Sequence, residues 1–198
     1  MIVFENNSDL EPYRKLRELY DLASSENQLN IEAILIASFS NEDNEVDSRF
    51  VNLKYVNNEK FIFFTNYDSP KSKQFESHSQ ISAVIYWNKV DIQIRMKAKI
   101  LKLDSNLSDE HFKKRKIEKN ALAISSKQSQ PIDSYESVEK NYANAMKQEN
   151  LQIRPQYWGG YEFTPYYFEF WRGDKDRLNN RESYNLENEH WIKNFLQP

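Results

Sequence analysis

Apolar residues recur along this chain with two different periods. Leu16, Leu19, Tyr20 and Ala23 fall at helical spacing between residues 10 and about 27, with Ser8 or Asp9 available as a cap and Pro12 in the first turn. This stretch predicts an opening helix. Runs rich in β-branched and aromatic residues follow: IEAILIASF (31–39), RFVNLKYV (49–56), KFIFFTN (60–66), QISAVIYW (80–87) and DIQIRMKAKILKL (91–103). They predict strands, and the short polar breaks Asn57-Asn58 and Asn88-Lys89 predict tight turns between antiparallel neighbours. The segment 69–78 predicts a short helix with Ser69 as its cap and Pro70 at its first position. A basic helix is predicted from 107 to about 123, and another from 132 to about 150 that carries Tyr135, Val138, Tyr142 and Met146. Beyond Pro155 strands return in YWGGYEF, YYFEFWR, ESYNL and HWIKNFL. Hairpins rather than crossover helices connect the strands, so the expected class is mainly β with α additions, an antiparallel barrel.

Length and composition narrow the chemistry. The 198 residues suit one domain over 1–198, with an N-terminal helical segment (1–28) and a distinct C-terminal region (155–198). Hydrophobic residues make up 39% and charged residues 29%, the balance of a chain with a packed core. A net charge of −3 provides no global positive field for nucleic acid or an anionic membrane, so any basic cluster serves something local. The absence of Cys excludes thiol nucleophiles, thiolate metal sites and disulfides, and a reducing cytosol is the natural compartment. His78, His111 and His190 are too far apart in sequence for a metal-binding motif. The N-terminus lacks the pattern of a signal peptide, and the strongest apolar stretch, 31–39, is too short to span a bilayer, so a soluble cytoplasmic protein is expected. Glycine occurs only at 159, 160 and 173. Neither GxGxxG nor a P-loop can be built, so any phosphorylated cofactor must be held by side chains.

Five constellations offer such side chains. Arg49 and Lys54 share a strand, but alternation sends them to opposite faces, and a bend or bulge is required for both to reach one ligand. Thr65, Ser69 and Lys71 gather hydroxyls and a cation where a strand meets a helix start. Gln93 offers an amide donor and acceptor to a planar ring. His111, Arg115 and Lys119 are spaced i, i+4, i+8 and predict one cationic stripe on a helix. Trp171 with Arg177 and Arg181 combines an indole face with two forked donors. Each also fits an ordinary solvated surface, and none decides the matter alone.

Together and in this order, RFVNLK, FFTN-x-x-S-x-K, the QIR strand, SSKQSQ, YWGGYEF and FEFWRGDKDRLNNR followed by WIKNFLQP resemble the pyridoxine/pyridoxamine 5'-phosphate oxidase family from about residue 30 onward. The resemblance implies a homodimer of FMN-binding split barrels with two active sites built across the subunit interface. It implies FMN contacts from Arg49, Lys54, Thr65, Ser69, Lys71, Gln93, Gln128, Ser129, Trp171 and Arg181. It places Lys54, His111, Arg115, Lys119, Arg177 and Asn179 on the substrate side; of the two residues at the catalytic position, Arg177 covers the ring near the reacting carbon and Asn179 supplies at most a hydrogen bond. The implied reaction oxidises pyridoxamine or pyridoxine 5'-phosphate to pyridoxal 5'-phosphate and reduces O2 to hydrogen peroxide. The chain departs from the family pattern at Phe64 (usually Tyr), Pro70 (usually Arg), His111 (Tyr), Lys119 (Ser) and Asn179 (His). These substrate-side departures leave open a related FMN oxidase of another substrate, such as a phenazine precursor, or a non-catalytic flavin- or pyridoxal-phosphate-binding protein.

Overall fold

The computed structural model describes residues 1–147 and 150–198; the Gln148-Glu149 end of the helix predicted over 132–150 lies outside the described residues. The elements in order are β1 (Val3–Glu5), α1 (Glu11–Ser25), β2 (Ala33–Ser40), β3 (Glu45–Asn57), β4 (Lys60–Asn66), α2 (Pro70–Ser77), β5 (Gln80–Trp87), β6 (Ile92–Lys102), α3 (Ser105–Lys114), α4 (Ile117–Ser125), α5 (Tyr135–Ala145), β7 (Trp158–Arg172), β8 (Asn180–Glu187) and β9 (His190–Phe195). Strands β3, β2, β5, β6, β7 and β4 pair in that order, and β4 returns to β3, so six antiparallel strands close a ring. Closure removes free edges from this part of the sheet. β1, too short to show a period in the sequence, adds in parallel to β3.

The two segments YWGGYEF and YYFEFWR form one 15-residue strand rather than two. β7 pairs with β6 over most of its length. Its other edge pairs with β4 through Trp158–Phe163 and with β8 through Tyr167–Arg172. The change occurs around Pro165, where the β6 register slips: Lys97 faces Tyr167 while Ala98 faces Pro165. Proline lacks the ladder N–H and is accommodated at such irregularities, so it bends this strand without ending it. β8 and β9 thereby extend outward from the ring.

Alternation along each strand fills the interior. Ile92, Ile94, Met96, Ala98 and Ile100 of β6 are buried, while Gln93, Arg95, Lys97 and Lys99 face outward. The rings of Phe61 and Phe163 stack at 5.0 Å, and Phe168 meets Tyr13 edge-on at 5.2 Å. Helix α1 buries Tyr13, Leu16, Tyr20 and Ala23 against this core. It is tied to the C-terminal strands by Lys15–Glu182 and by the Tyr184 hydroxyl, which donates to Glu11 (2.8 Å). Its N-cap position is Leu10, whose N–H donates to Ser8 Oγ at 3.3 Å. At α2 the predicted Ser69 cap is not made, because the hydroxyl donates instead to the Asn66 carbonyl (2.7 Å).

The block 107–123 is not one helix. Arg115 is extended (φ −72°, ψ 155°) and separates α3 from α4. Asn120, fully buried, holds the corner: its Nδ2 donates to the carbonyls of Phe112 (3.0 Å) and Leu151 (2.9 Å). A carbonyl at the end of α3 thus gains a side-chain partner.

Phe163→Ala removes a fully buried ring from the stack with Phe61. We expect a loss of about 3–5 kcal/mol in urea-unfolding free energy; a loss below about 1 kcal/mol would contradict this packing.

Candidate active site

The β3–β4 hairpin sets the first wall of the site. Leu53 faces Phe63 but Tyr55 faces Ile62, so β3 carries one extra residue, Lys54, at a β-bulge. The bulge shifts the alternation: Leu53 and Val56, three residues apart, are both buried. Arg49 and Lys54 consequently line the same cleft, by the device that their spacing demanded.

This cleft has a volume of about 870 Å³. Thr65 from the end of β4, Pro70 and Lys71 from α2, Arg115, Lys116 and Lys119 from the α3–α4 corner, and Gln128 and Ser129 from the following loop also line it. Six cations (Arg49, Lys54, Lys71, Arg115, Lys116, Lys119) face it, against Asp47 as the one carboxylate among the described lining residues. The imbalance is sharpest at Lys71, 7% exposed, whose Nζ donates to the hydroxyls of Thr65 and Ser69, both at 3.2 Å. Burial, reinforced by Arg49, pulls its pKa down to about 8. A buried ammonium with only neutral partners leaves room for an anion, and the hydroxyls and cations here suit a phosphate monoester. Ser69 lies beneath this cradle, fully buried, and supports Lys71 instead of lining the cleft. Gln128 closes the other side: its Oε1 accepts from the Thr65 hydroxyl (3.1 Å) and the Asn66 N–H (3.3 Å). Arg49 is held by Ser38 Oγ (2.6 Å), Gln74 Oε1 (2.9 Å) and Asp47.

At the other end the side chains are organised by aromatic stacking. The His111 ring lies flat on Phe64 (3.7 Å, 4°), Phe64 stacks on Trp158 (5.4 Å), and the Arg115 guanidinium covers Trp158 at 4.4 Å. Phe64 faces Gly160 across the β4–β7 ladder, and a Cβ there would lie 2.6 Å from a Leu103 methyl and 3.0 Å from the Phe64 ring. The glycine serves close approach. Arg115 also donates to Asn120 Oδ1 (3.2 Å), and His111 Nδ1 shares a 2.8 Å hydrogen bond with the Tyr55 hydroxyl. Burial, then Arg115, Lys54 and Lys114, lowers the His111 pKa to about 4, so the ring is neutral near pH 7. The predicted three-member cationic stripe is therefore corrected twice: it spans two helices, and His111 contributes an uncharged ring. Lys54 is held below the ordinary lysine range, chiefly by burial, with Lys119 and Arg115 adding repulsion.

Gln93, Trp171, Arg181, Arg177 and Asn179 do not line this cleft. Gln93, Trp171 and Arg181 form one cross-strand row on the outward face of β6, β7 and β8. Arg177 is exposed in the β7–β8 loop with a positive φ of 61°, and Asn179 Oδ1 accepts the Asp174 N–H (3.2 Å). Within one chain the anticipated residues thus fall into two groups. Trp158, Lys116, Asp47 and Asn120 had no anticipated role; Trp158 sits in the recognised YWGGYEF stretch, while Asn120 carries no local signal at all.

Residues 28–147 match the model of the family described as Pyridoxamine 5'-phosphate oxidase, and residues 158–198 match its Pyridoxine 5'-phosphate oxidase C-terminal dimerisation region. The chain belongs to the pyridoxamine 5'-phosphate oxidase family. Similar proteins named as pyridoxine/pyridoxamine 5'-phosphate oxidases include one from Hydrogenovibrio crunogenus, 32% identical over 88% of this chain and 81% of the relative. Another, from Leptospira biflexa, is 31% identical over 100% of this chain and 93% of the relative. Among solved structures, PhzG from Burkholderia lata, in complex with tetrahydrophenazine-1-carboxylic acid, superposes with a TM-score of 0.88 at 24% identity, covering 95% of this chain and 93% of its own. A pyridoxamine 5'-phosphate oxidase-related, FMN binding protein from Nostoc punctiforme gives a TM-score of 0.78 at 11% identity, with 96% and 99% covered. These likenesses agree with the closed ring and outlying β8–β9 pair: the fold is this family's antiparallel split barrel.

The depressed Lys71 pKa has a signed consequence. The folded value of about 8 lies below the ordinary lysine value of 10.5, so the unfolded chain binds more protons between those pH values and stability rises with pH across that window. Below about pH 8 the buried charge costs stability in full. Lys71→Met is expected to stabilise the ligand-free protein at pH 7 by on the order of 1–3 kcal/mol, an advantage that shrinks towards pH 10.5. Urea unfolding at pH 7 and pH 10 measures this, and a destabilised variant at pH 7 would contradict it.

Proposed function

We propose that this chain is an FMN-dependent pyridoxal 5'-phosphate synthase: a cytoplasmic homodimeric oxidase that converts pyridoxamine or pyridoxine 5'-phosphate to pyridoxal 5'-phosphate, with O2 reduced to hydrogen peroxide. The observation that carries this reading is Lys71, a buried ammonium whose hydrogen-bond partners among the described residues are both neutral hydroxyls, at one end of a cleft with six cations and one carboxylate, Asp47, in a chain of this family. Arg49, Lys71 and Thr65, with Ser69 behind them, are the donors for the FMN phosphate, and Gln128 and Ser129 border the same place. When bound, FMN supplies a two-electron acceptor that O2 can reoxidise.

The chain's own residues bind and orient. Arg115, Lys119 and Lys54 neutralise the substrate phosphate. Arg115 is already immobilised on Trp158 and by Asn120, so little ordering remains to be done on binding. Neutral His111 packs as a flat wall. The Gln93–Trp171–Arg181 row and the loop bearing Arg177 and Asn179 complete the cleft of a second copy. Two features support this sharing. A cross-strand row of Phe50, Leu35, Val84, Arg95, Glu169 and Ser183 runs unbroken from the cleft rim across the outward sheet face. Phe50, 71% exposed at its start, is an apolar surface that a partner would cover, and residues 158–198 match the family's dimerisation region.

The substrate-side departures His111, Lys119 and Asn179 favour one second reading, an FMN oxidase of the same architecture with a different anionic substrate. Anaerobic addition of pyridoxamine 5'-phosphate to the yellow protein decides between them: bleaching of the flavin absorbance supports the vitamer oxidase, and unchanged absorbance with either vitamer overturns it.

Arg115→Ala is expected to raise the KM for the phosphorylated substrate about 10- to 100-fold with FMN content retained. Arg177→Ala is expected to lower turnover while sparing FMN. Loss of flavin in step with activity would remove either residue from its role.

A further inference from the structure

A carboxylate on the outward side of a surface strand ordinarily points into water, but Glu169 is 3% exposed. Both of its oxygens are saturated. Oε1 accepts from Arg181 Nε (3.0 Å) and Nη2 (2.7 Å), and Oε2 accepts from Arg95 Nη1 (3.0 Å) and the Tyr167 hydroxyl (3.0 Å). Arg181 Nη1 donates to the Gln197 carbonyl at 2.7 Å. Among the described residues these contacts leave one N–H unclaimed on each terminal nitrogen of Arg181. The Arg181 side chain is 25% exposed and lies in register with Trp171 and Gln93, one row beyond Glu169.

A buried ion pair is a poor source of net stability, because desolvation offsets much of the attraction. The β7–β8 ladder is already made by backbone pairing from Tyr167 to Arg172. What the carboxylate adds is geometry: a flexible side chain on a sheet surface is reduced to one orientation before any ligand arrives. We propose that Glu169 is a positioning residue for the flavin site, fixing the Arg181 guanidinium so that its two free N–H groups are presented to FMN. Arg95, on the far side of Glu169, supplies a second positive charge against the buried carboxylate. The inference rests on the assignment of Arg181 to the flavin site.

The test is a double-mutant cycle on the full chain, with the FMN Kd read from quenching of flavin fluorescence. Glu169→Gln is expected to weaken FMN binding about tenfold and Arg181→Ala at least as much. In the Arg181→Ala background, Glu169→Gln is expected to change Kd by less than about twofold. Equal losses in both backgrounds, or no loss from Glu169→Gln alone, would overturn the proposal. Arg95→Gln removes the other partner of Glu169 but not the Arg181 contact; a loss as large as that of Glu169→Gln would show a general structural effect and overturn it too. An unchanged Kd in Arg181→Ala would instead overturn the assignment on which the proposal rests, leaving the role of Lys71 separately testable. Should Glu169→Gln not fold, Arg181→Lys carries the test, since it keeps the charge and loses the fork: affinity equal to the parent overturns the proposal, and a loss matching Arg181→Ala supports it.

Discussion

Strand β7 keeps β6 as its neighbour and exchanges β4 for β8 around Pro165, and the division of the molecule follows from that exchange. The first half of β7 closes the ring and brings Trp158 and Gly160 against Phe64, which seats the aromatic end of the cleft. The second half leaves the ring and carries Glu169 and Trp171 onto an outward face beside Arg181. A single continuous strand thus contributes to two groups of candidate site residues that one chain does not bring together. In the proposed dimer, a sheet that branches in this way would let the two groups meet across two copies.

The electrostatics of the cleft run against stability. Lys71, Lys54 and Arg115 are each pushed down from their ordinary pKa values, in every case first by burial. A chain with three glycines, none of them at positive φ, has no backbone loop with which to cradle a phosphate. It therefore gathers cations from β3, α2 and the α3–α4 corner and leaves them short of counterions, so a bound anion would relieve the strain that folding creates. The outward row does the reverse: Glu169 has two arginines around it, and its charge is spent on orientation.

Stacking distinguishes the aromatic end of the cleft from the end that holds Lys71. Arg115 is laid over Trp158 and hydrogen-bonded to buried Asn120, while His111 is pressed flat on Phe64. Their positions are set by packing and by the broken helix between them, so a change in one ring here is felt by its neighbours in the stack. Two of the departures from the family pattern, Phe64 and His111, lie in this stack, while Pro70 and Lys119 line the cleft elsewhere and Asn179 lies in the β7–β8 loop.

Sequence alone determined the parts that depend on local rules. Period-two alternation and turn residues marked β4 and β5 to the residue, the missing glycine loop required side chains for phosphate, and the spacing of Arg49 and Lys54 called for the bulge that is present. Motif order also identified the family. Tertiary structure decided what depends on partners distant in the chain: the pairing of β1 with β3, the continuity of β7 through Pro165, the break at Arg115 stabilised by Asn120, and the neutrality of His111. It also decided that Gln93, Trp171 and Arg181 stand apart from the cleft. Hydrophobic period is written into neighbouring residues, but desolvation, stacking and strand exchange arise only when residues far apart in sequence are brought into contact.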